Sequence, residues 1–184
     1  MALHVLKSAP AAVERTDLLD ELYARHADDV KRWARRLAGP DADLEDLLHD
    51  VFVIALHRRF SFRGDASIKT WLFRITHHVV RRRRRRSFVR RLLFGRRRDE
   101  MVEAAPTVST PHDEIERRER HACLYRALDQ LPDAYRTALI LYEIDGLSGE
   151  EVAELVGISL GTLWVRLHRG RAKLFACLSA EEMP

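Results

Sequence analysis

Leu147-Ser148-Gly149-Glu150-Glu151-Val152-Ala153-Glu154-Leu155-Val156-Gly157-Ile158-Ser159 is the stretch on which the fold turns. Ser148 and Glu151 stand at capping-box spacing, which starts a helix by satisfying two of its free amide groups. Val152, Leu155 and Val156 give that helix an inward face. Gly157 can take the positive φ of a tight turn without a Cβ penalty. Ile158 is placed to plug back into a core. Ser159 then caps a second helix, with Leu163 and Leu167 inward. Cap, helix, glycine turn, plug and second helix make a helix-turn-helix. The outward face of the second helix carries Thr162, Trp164, Val165, Arg166, Arg169 and Arg171. In such motifs the first turns of the second helix meet base edges in the major groove. Arginine bonds guanine with two hydrogen bonds, and Thr or Val meets a thymine methyl. Gly161 lets the backbone approach DNA closely, and arginines farther along suit phosphates. A hairpin with a solvated basic face is the plainer reading. DNA binding is preferred, because cap, turn glycine, plug and basic face coincide. Ser159, Gly161, Thr162, Trp164, Val165, Arg166, Arg169 and Arg171 are therefore the candidate duplex-DNA residues.

Working outward from this motif, the apolar residues recur at helical spacing almost everywhere, and strand signals are nearly absent. Leu124, Leu128 and Leu131 support a helix ahead of the motif. Pro132 suits the first turn of the next helix, which Leu139, Ile140, Tyr142 and Glu143 continue to a C-cap at Gly146. Nearer the N-terminus, a helix is expected from Asp17 to Leu37, with a stripe of Leu19, Leu22, Tyr23, Val30, Trp33 and Leu37, ended by Gly39-Pro40. Asp43 caps a second helix with Leu44, Leu47, Leu48, Val51, Phe52 and Ala55 on its apolar face. Ser67 caps a third, with Ile68, Trp71, Leu72, Ile75 and Val79 on one side. The chain thus reads as all-α: two small helical domains, 15–86 and 120–178, joined by a flexible linker, 87–119, that starts basic and turns acidic.

The chain has 184 residues and a net charge of +4, but the charge is uneven. Residues 81–98 hold eleven arginines and no acid, while the rest is mildly acidic. Such a belt favours a polyanion, in a sequence-blind and salt-sensitive way; a solvated arginine-rich linker is an equal alternative at this point. No apolar run reaches membrane-spanning length, and Lys7-Ser8-Ala9-Pro10 is not followed by the apolar core of a signal peptide. Cys123 and Cys177 lie far apart with no metal-ligand spacing, which fits small core residues in a reduced, cytoplasmic setting. No metal, cofactor or catalytic residue is expected.

With both halves in view, the chain resembles the extracytoplasmic-function sigma factors of bacterial RNA polymerase, over about residues 17–86 and 120–178. Asp43-Leu44-Glu45-Asp46-Leu47-Leu48-His49-Asp50-Val51-Phe52 is similar to the family's helix for binding core polymerase. Phe62-Arg63-Gly64-Asp65-Ala66-Ser67-Ile68-Lys69-Thr70-Trp71-Leu72-Phe73-Arg74-Ile75 is similar to its minus-ten promoter segment. Leu131-Pro132, Gly161-Thr162-Leu163 and Arg166-Leu167-His168-Arg169-Gly170-Arg171 are similar to its minus-thirty-five domain. The resemblance implies a transcription initiation factor, not an enzyme, with core RNA polymerase and promoter DNA as partners and, by family habit, an anti-sigma factor.

The residue chemistry is compatible with those roles. Glu45, Asp46, His49 and Asp50 around Leu48 and Phe52 suit docking on a basic protein surface, although an ordinary amphipathic helix would look the same in isolation. Arg63, Gly64, Asp65, Lys69, Thr70, Arg74 and His78 are the residues expected around a captured minus-ten strand, where cations and close backbone approach hold unstacked bases. Trp71 and Leu72 are expected in the core. The family usually has Asn at His78, an acid at Arg82, Gln at His49, and a basic then a small polar residue at Trp164 and Val165. Two other classes compete: a helix-turn-helix regulator that never serves as a polymerase sigma subunit, and a DNA recombinase. The second lacks any nucleophile or carboxylate cluster in a suitable setting.

Overall fold

The computed structural model describes residues 13–40, 42–58, 67–94 and 111–181. They form seven α-helices and no strand. Three helices make the N-terminal half: α1 (Val13–Ala38), α2 (Leu44–Arg58) and α3 (Ile68–Phe94). The C-terminal half holds α4 (Pro111–Asp129), α5 (Asp133–Leu139), α6 (Gly149–Val156) and α7 (Leu160–Glu181). None of the described helices is long and apolar enough to cross a membrane.

The helix starts follow local side-chain chemistry. Asp46 N–H donates to Asp43 Oδ1 (3.1 Å), Thr70 N–H to Ser67 Oγ (3.1 Å), and Thr162 N–H to Ser159 Oγ (3.2 Å). At α6 the capping box is complete: Glu151 N–H donates to Ser148 Oγ and Ser148 N–H to Glu151 Oε2. Those hydrogen bonds hold the exposed Glu151 carboxyl below the usual range. Each such cap contributes about 1 kcal/mol. Gly157 closes α6 at φ +73°, in the left-handed region.

The N-terminal core joins Val30, Trp33 and Leu37 of α1 to Leu47, Val51, Phe52 and Ala55 of α2 and Leu72, Ile75 and Val79 of α3. Leu22, Leu44, Leu48 and Trp71 are only partly buried against it. Ile68, expected inward, is exposed at the helix start, whereas Phe73 is buried and meets Trp33 edge-on at 5.3 Å. Tyr23 is half-exposed, its ring 4.9 Å from that of Phe52. In the C-terminal half, Leu163 and Leu167 are fully buried with Val152 and Leu155. The side chain of Leu19 lies outside the described residues.

Three stretches differ from the periodic pattern. Pro132 occupies the N-cap of α5 rather than its first turn, with ψ 137°, so Asp133 opens the helix. Beyond Leu139 the helix widens into one π turn, Ile140–Ile144, closed by Asp145 N–H donating to the Ile140 carbonyl at 2.8 Å. α3 continues past Arg86 to Phe94, and α4 begins at Pro111, so helices enter the expected linker from both sides. Arginine is a good helix former, and no Gly or Pro interrupts the run before Gly95.

The two halves pack into one apolar cluster. Gly39, at φ +96°, lets α1 end directly beneath the Tyr125 ring, where a Cβ would lie 2.9 Å from that ring. The final carbonyls of α1 lack intrahelical partners, and the other half supplies them. Tyr125 Oη donates to the Arg36 carbonyl (2.9 Å), and Arg136 Nη1 to the Leu37 carbonyl (2.7 Å). Burial raises the Tyr125 phenol above its ordinary range.

Candidate nucleic-acid interface

The helix-turn-helix presents its second helix outward. Ser159, just ahead of α7, and Gly161, Thr162, Val165 and Arg169 on it are exposed, and Arg166 is half-buried. Ser159 Oγ and Thr162 Oγ1 lie 2.8 Å apart, which fixes the threonine methyl on the first turn. No Cβ at Gly161 would meet another atom within 4 Å, so the space above it is open. Such a surface admits the edge of a base pair and the neighbouring phosphates.

Trp164 and Arg171, expected on the same DNA face, are exposed and also make contacts within the chain. The Trp164 ring meets Tyr142 edge-on at 5.5 Å and lies on Gly149, where a Cβ would sit 3.1 Å from it. Arg171 pairs with Glu143 at 2.6 Å and lies 5.9 Å from the centre of the Tyr142 ring. Both side chains tie α7 to the π turn.

The α3 residues expected around a minus-ten strand divide into three groups. Arg63, Gly64 and Asp65 lie outside the described residues. Lys69, Arg74 and His78 are exposed. Lys69 Nζ is 3.9 Å from Asp29, and the Arg74 guanidinium lies against Gly157. Thr70 is only 2% exposed: its hydroxyl is 3.0 Å from Ser67 Oγ and 3.4 Å from Glu154 Oε1 of α6. The helix-turn-helix therefore sits over the start of α3.

On α2, Glu45, Asp46 and His49 are exposed, Leu48 and Asp50 half-buried, and Phe52 buried. Asp50 Oδ2 takes two hydrogen bonds from Arg83, at 2.6 Å and 3.1 Å, and Asp46 lies 3.5 Å from the same guanidinium. The acidic face is thus partly neutralised from within the chain.

Sequence reasoning passed over the polar seam between the halves. His77 Nε2 lies 3.0 Å from Thr137 Oγ1 and 3.1 Å from Asp133 Oδ2, with its ring parallel to Phe73. Asp133 also faces Arg81 at 3.7 Å and Arg84 at 3.6 Å. Burial opposes its charge, but the His77 hydrogen bond and the nearby cations prevail and hold the carboxyl below its usual range. Arg84 reaches Asp129 at 2.8 Å, and the buried Arg136 has its Nε 3.3 Å from the same carboxylate. Burial, with Arg84 adding to it, pulls the Arg136 guanidinium down to about 10, so it is still charged at neutral pH. Asp145 receives Arg32 (3.3 Å) and Arg36 (3.9 Å) from α1. A charge at position 136, at helical spacing from the inward Leu139 and Ile140, was the one sequence signal of this seam.

Comparison with known proteins gives these faces a setting. The sequence profile of Sigma-70 region 2 matches residues 22–89, and that of Sigma-70, region 4 matches residues 121–174. The RNA polymerase sigma factor NccH of Alcaligenes xylosoxydans xylosoxydans is 33% identical over 163 residues, covering 89% of this chain and 88% of its own. The chain belongs to the extracytoplasmic-function sigma factors of RNA polymerase. The RNA polymerase sigma factor CnrH of Cupriavidus metallidurans is 32% identical to this sigma factor over 178 residues, covering 95% and 93% of the two chains. A solved structure of CnrH in complex with the cytosolic domain of CnrY is 28% identical, with a TM-score of 0.57 and 91% of each chain covered. The region 2 match removes the ground for a helix-turn-helix regulator that never serves as a sigma subunit.

Proposed function

We propose that this sigma factor divides initiation between two units, residues 15–86 and 120–178. The exposed face of α2, with Glu45, Asp46, Leu48, His49 and Asp50, docks on core RNA polymerase, and Phe52 supports it from the core. Thr162, Val165 and Arg166 on α7 read the minus-thirty-five duplex, and Ser159, Gly161 and Arg169 set the helix on its backbone. Trp164 and Arg171 hold the angle of that helix. Arg63, Gly64, Asp65, Lys69, Thr70, Arg74 and His78 hold the minus-ten strand once it has parted. Binding energy drives the opening, so the chain acts in the cytoplasm as an initiation factor without catalytic residues.

The observation that supports this reading is the presence of two exposed surfaces on one chain: the open first turns of α7, and the face of α3 that carries Arg74 and His78 one turn apart. Their present relation adds a step. Because α6 covers Thr70 and Gly157 lies under Arg74, the minus-ten face is complete only after α6 leaves α3. An anti-sigma factor is the further partner. The similar CnrH has been solved with the cytosolic domain of CnrY, and a protein that holds the two halves together would keep the minus-ten face covered.

Permanganate footprinting of promoter fragments with core polymerase and this chain tests the division of labour. Thymines near minus ten should become reactive only when the chain is present. Arg74→Ala should reduce that reactivity while leaving protection at minus thirty-five. Arg169→Ala should weaken both together. Thymine reactivity unaffected by the presence of the chain contradicts the reading.

A further inference from the structure

The arginine run at the end of α3 resolves, residue by residue, into two different surfaces. Arg83 is turned toward α2 and is occupied by Asp46 and Asp50. Arg84 is turned toward the C-terminal half and is occupied by Asp129 and Asp133. Arg82, Arg85 and Arg86 are exposed, and among the described residues none has an acidic partner. They continue the face that carries Arg74 and His78, since Arg74, His78, Arg82 and Arg86 recur every four residues along one helix. That spacing turns by only about 40° per step. From His78 to Arg86 the helix rises about 12 Å, which matches the axial run of about three to four phosphates on one DNA strand.

We propose that Arg82, Arg85 and Arg86 form a rail for the phosphodiester backbone of duplex DNA, continuous with the minus-ten face of α3. The inference rests on the promoter-binding reading of Arg74 and His78 for its direction. Two features favour duplex backbone. The rail is arginine only, so it offers forked donors to phosphate oxygens. It also lies on the part of α3 beyond His78, away from the helix start that residues 60–66 precede in sequence. The rail adds affinity without sequence information, and so grips DNA beside the recognised element.

The test measures binding of the full chain to random-sequence duplex and to single-stranded DNA of equal length, by fluorescence anisotropy across a salt series. Two charge-matched double variants are compared: Arg82→Gln with Arg86→Gln, and Lys31→Gln with Arg35→Gln. The second pair is exposed at the same spacing on α1. The rail predicts that the first pair lowers the slope of log affinity against log salt by about 2 on duplex DNA. It predicts little change from the second pair, and a smaller change on single strands. Equal losses from both pairs would reduce the effect to net charge and overturn the rail. A larger loss on single strands than on duplex would replace it with a strand-capture role. An unchanged DNA slope together with lost binding to core polymerase would make the face a protein-docking surface. Because random DNA is the probe, these outcomes are read whether or not the chain directs transcription. A wild-type chain that grips DNA through the rail but yields no transcripts would sink the promoter reading alone.

Discussion

At the residue scale, Arg136 is the side chain on which the packing of the two halves most depends. It is 1% exposed, bonds the Leu37 carbonyl and pairs with Asp129. Replacing it with Met keeps the volume but leaves a buried carbonyl unpaired and Asp129 less compensated. The expected cost is about 2 kcal/mol in urea unfolding. Arg136→Lys should recover only part of it, because an ammonium cannot reach both partners in the fork geometry. A loss no larger than that of an exposed surface arginine would contradict the role given to this residue. His121 contributes to the pH dependence near neutrality. Burial, then Arg36 and Arg117, lower its pKa below the ordinary histidine value. The unfolded chain therefore takes up the proton first, and stability falls as pH drops below about 6.5. His121→Gln should flatten the melting temperature between about pH 7 and 5.5; an unchanged slope would assign that dependence to another group.

At the element scale, what was legible in the sequence and what was not separates by range. Asp43, Ser67, Ser148 and Ser159 act on amides three residues away, so their caps can be read from spacing alone. The helix-turn-helix was legible for the same reason. Ser148→Ala should cost about 1 kcal/mol by losing half of the capping box. Gly157→Ala should cost about 1–2 kcal/mol from the positive φ alone. It would also push a Cβ to 2.9 Å from the Arg74 guanidinium. Thermal melts of both variants check these values, and Gly157→Ala melting with the parent would contradict the left-handed turn. The π turn had no such local signature, and the side chains packed on it, Trp164 and Arg171, come from α7 more than twenty residues on. Six consecutive arginines look alike in sequence. Only partners 33 to 49 residues away distinguish Arg83 and Arg84 from Arg82, Arg85 and Arg86. The minus-ten set could be named by resemblance, but the burial of Thr70 under Glu154, 84 residues on, could not.

At the scale of the whole molecule, the arrangement is a closed one in which the face proposed for minus thirty-five is open and the face proposed for minus ten is partly covered. The seam is rich in ion pairs, each contributing well under about 1 kcal/mol where solvent reaches it. The opening proposed above requires these pairs to be exchanged for contacts with polymerase and DNA, against the shared apolar cluster and the buried Arg136. A reversible lock tests this. Cysteines at positions 70 and 154, in a chain with Cys123 and Cys177 changed to Ser, can be joined by a short cleavable crosslinker. The locked form should bind duplex DNA yet fail to open a promoter, and cleavage of the linker should restore opening. Full activity in the locked state would show that the halves need not part.

The most direct test of the central claim is run-off transcription with purified sigma-free core polymerase across a promoter library, with and without this chain. Chain-dependent transcripts that share two spaced upstream elements are the predicted result. Sequence-selective binding of the chain to duplex DNA, with no transcript from any promoter, would contradict it.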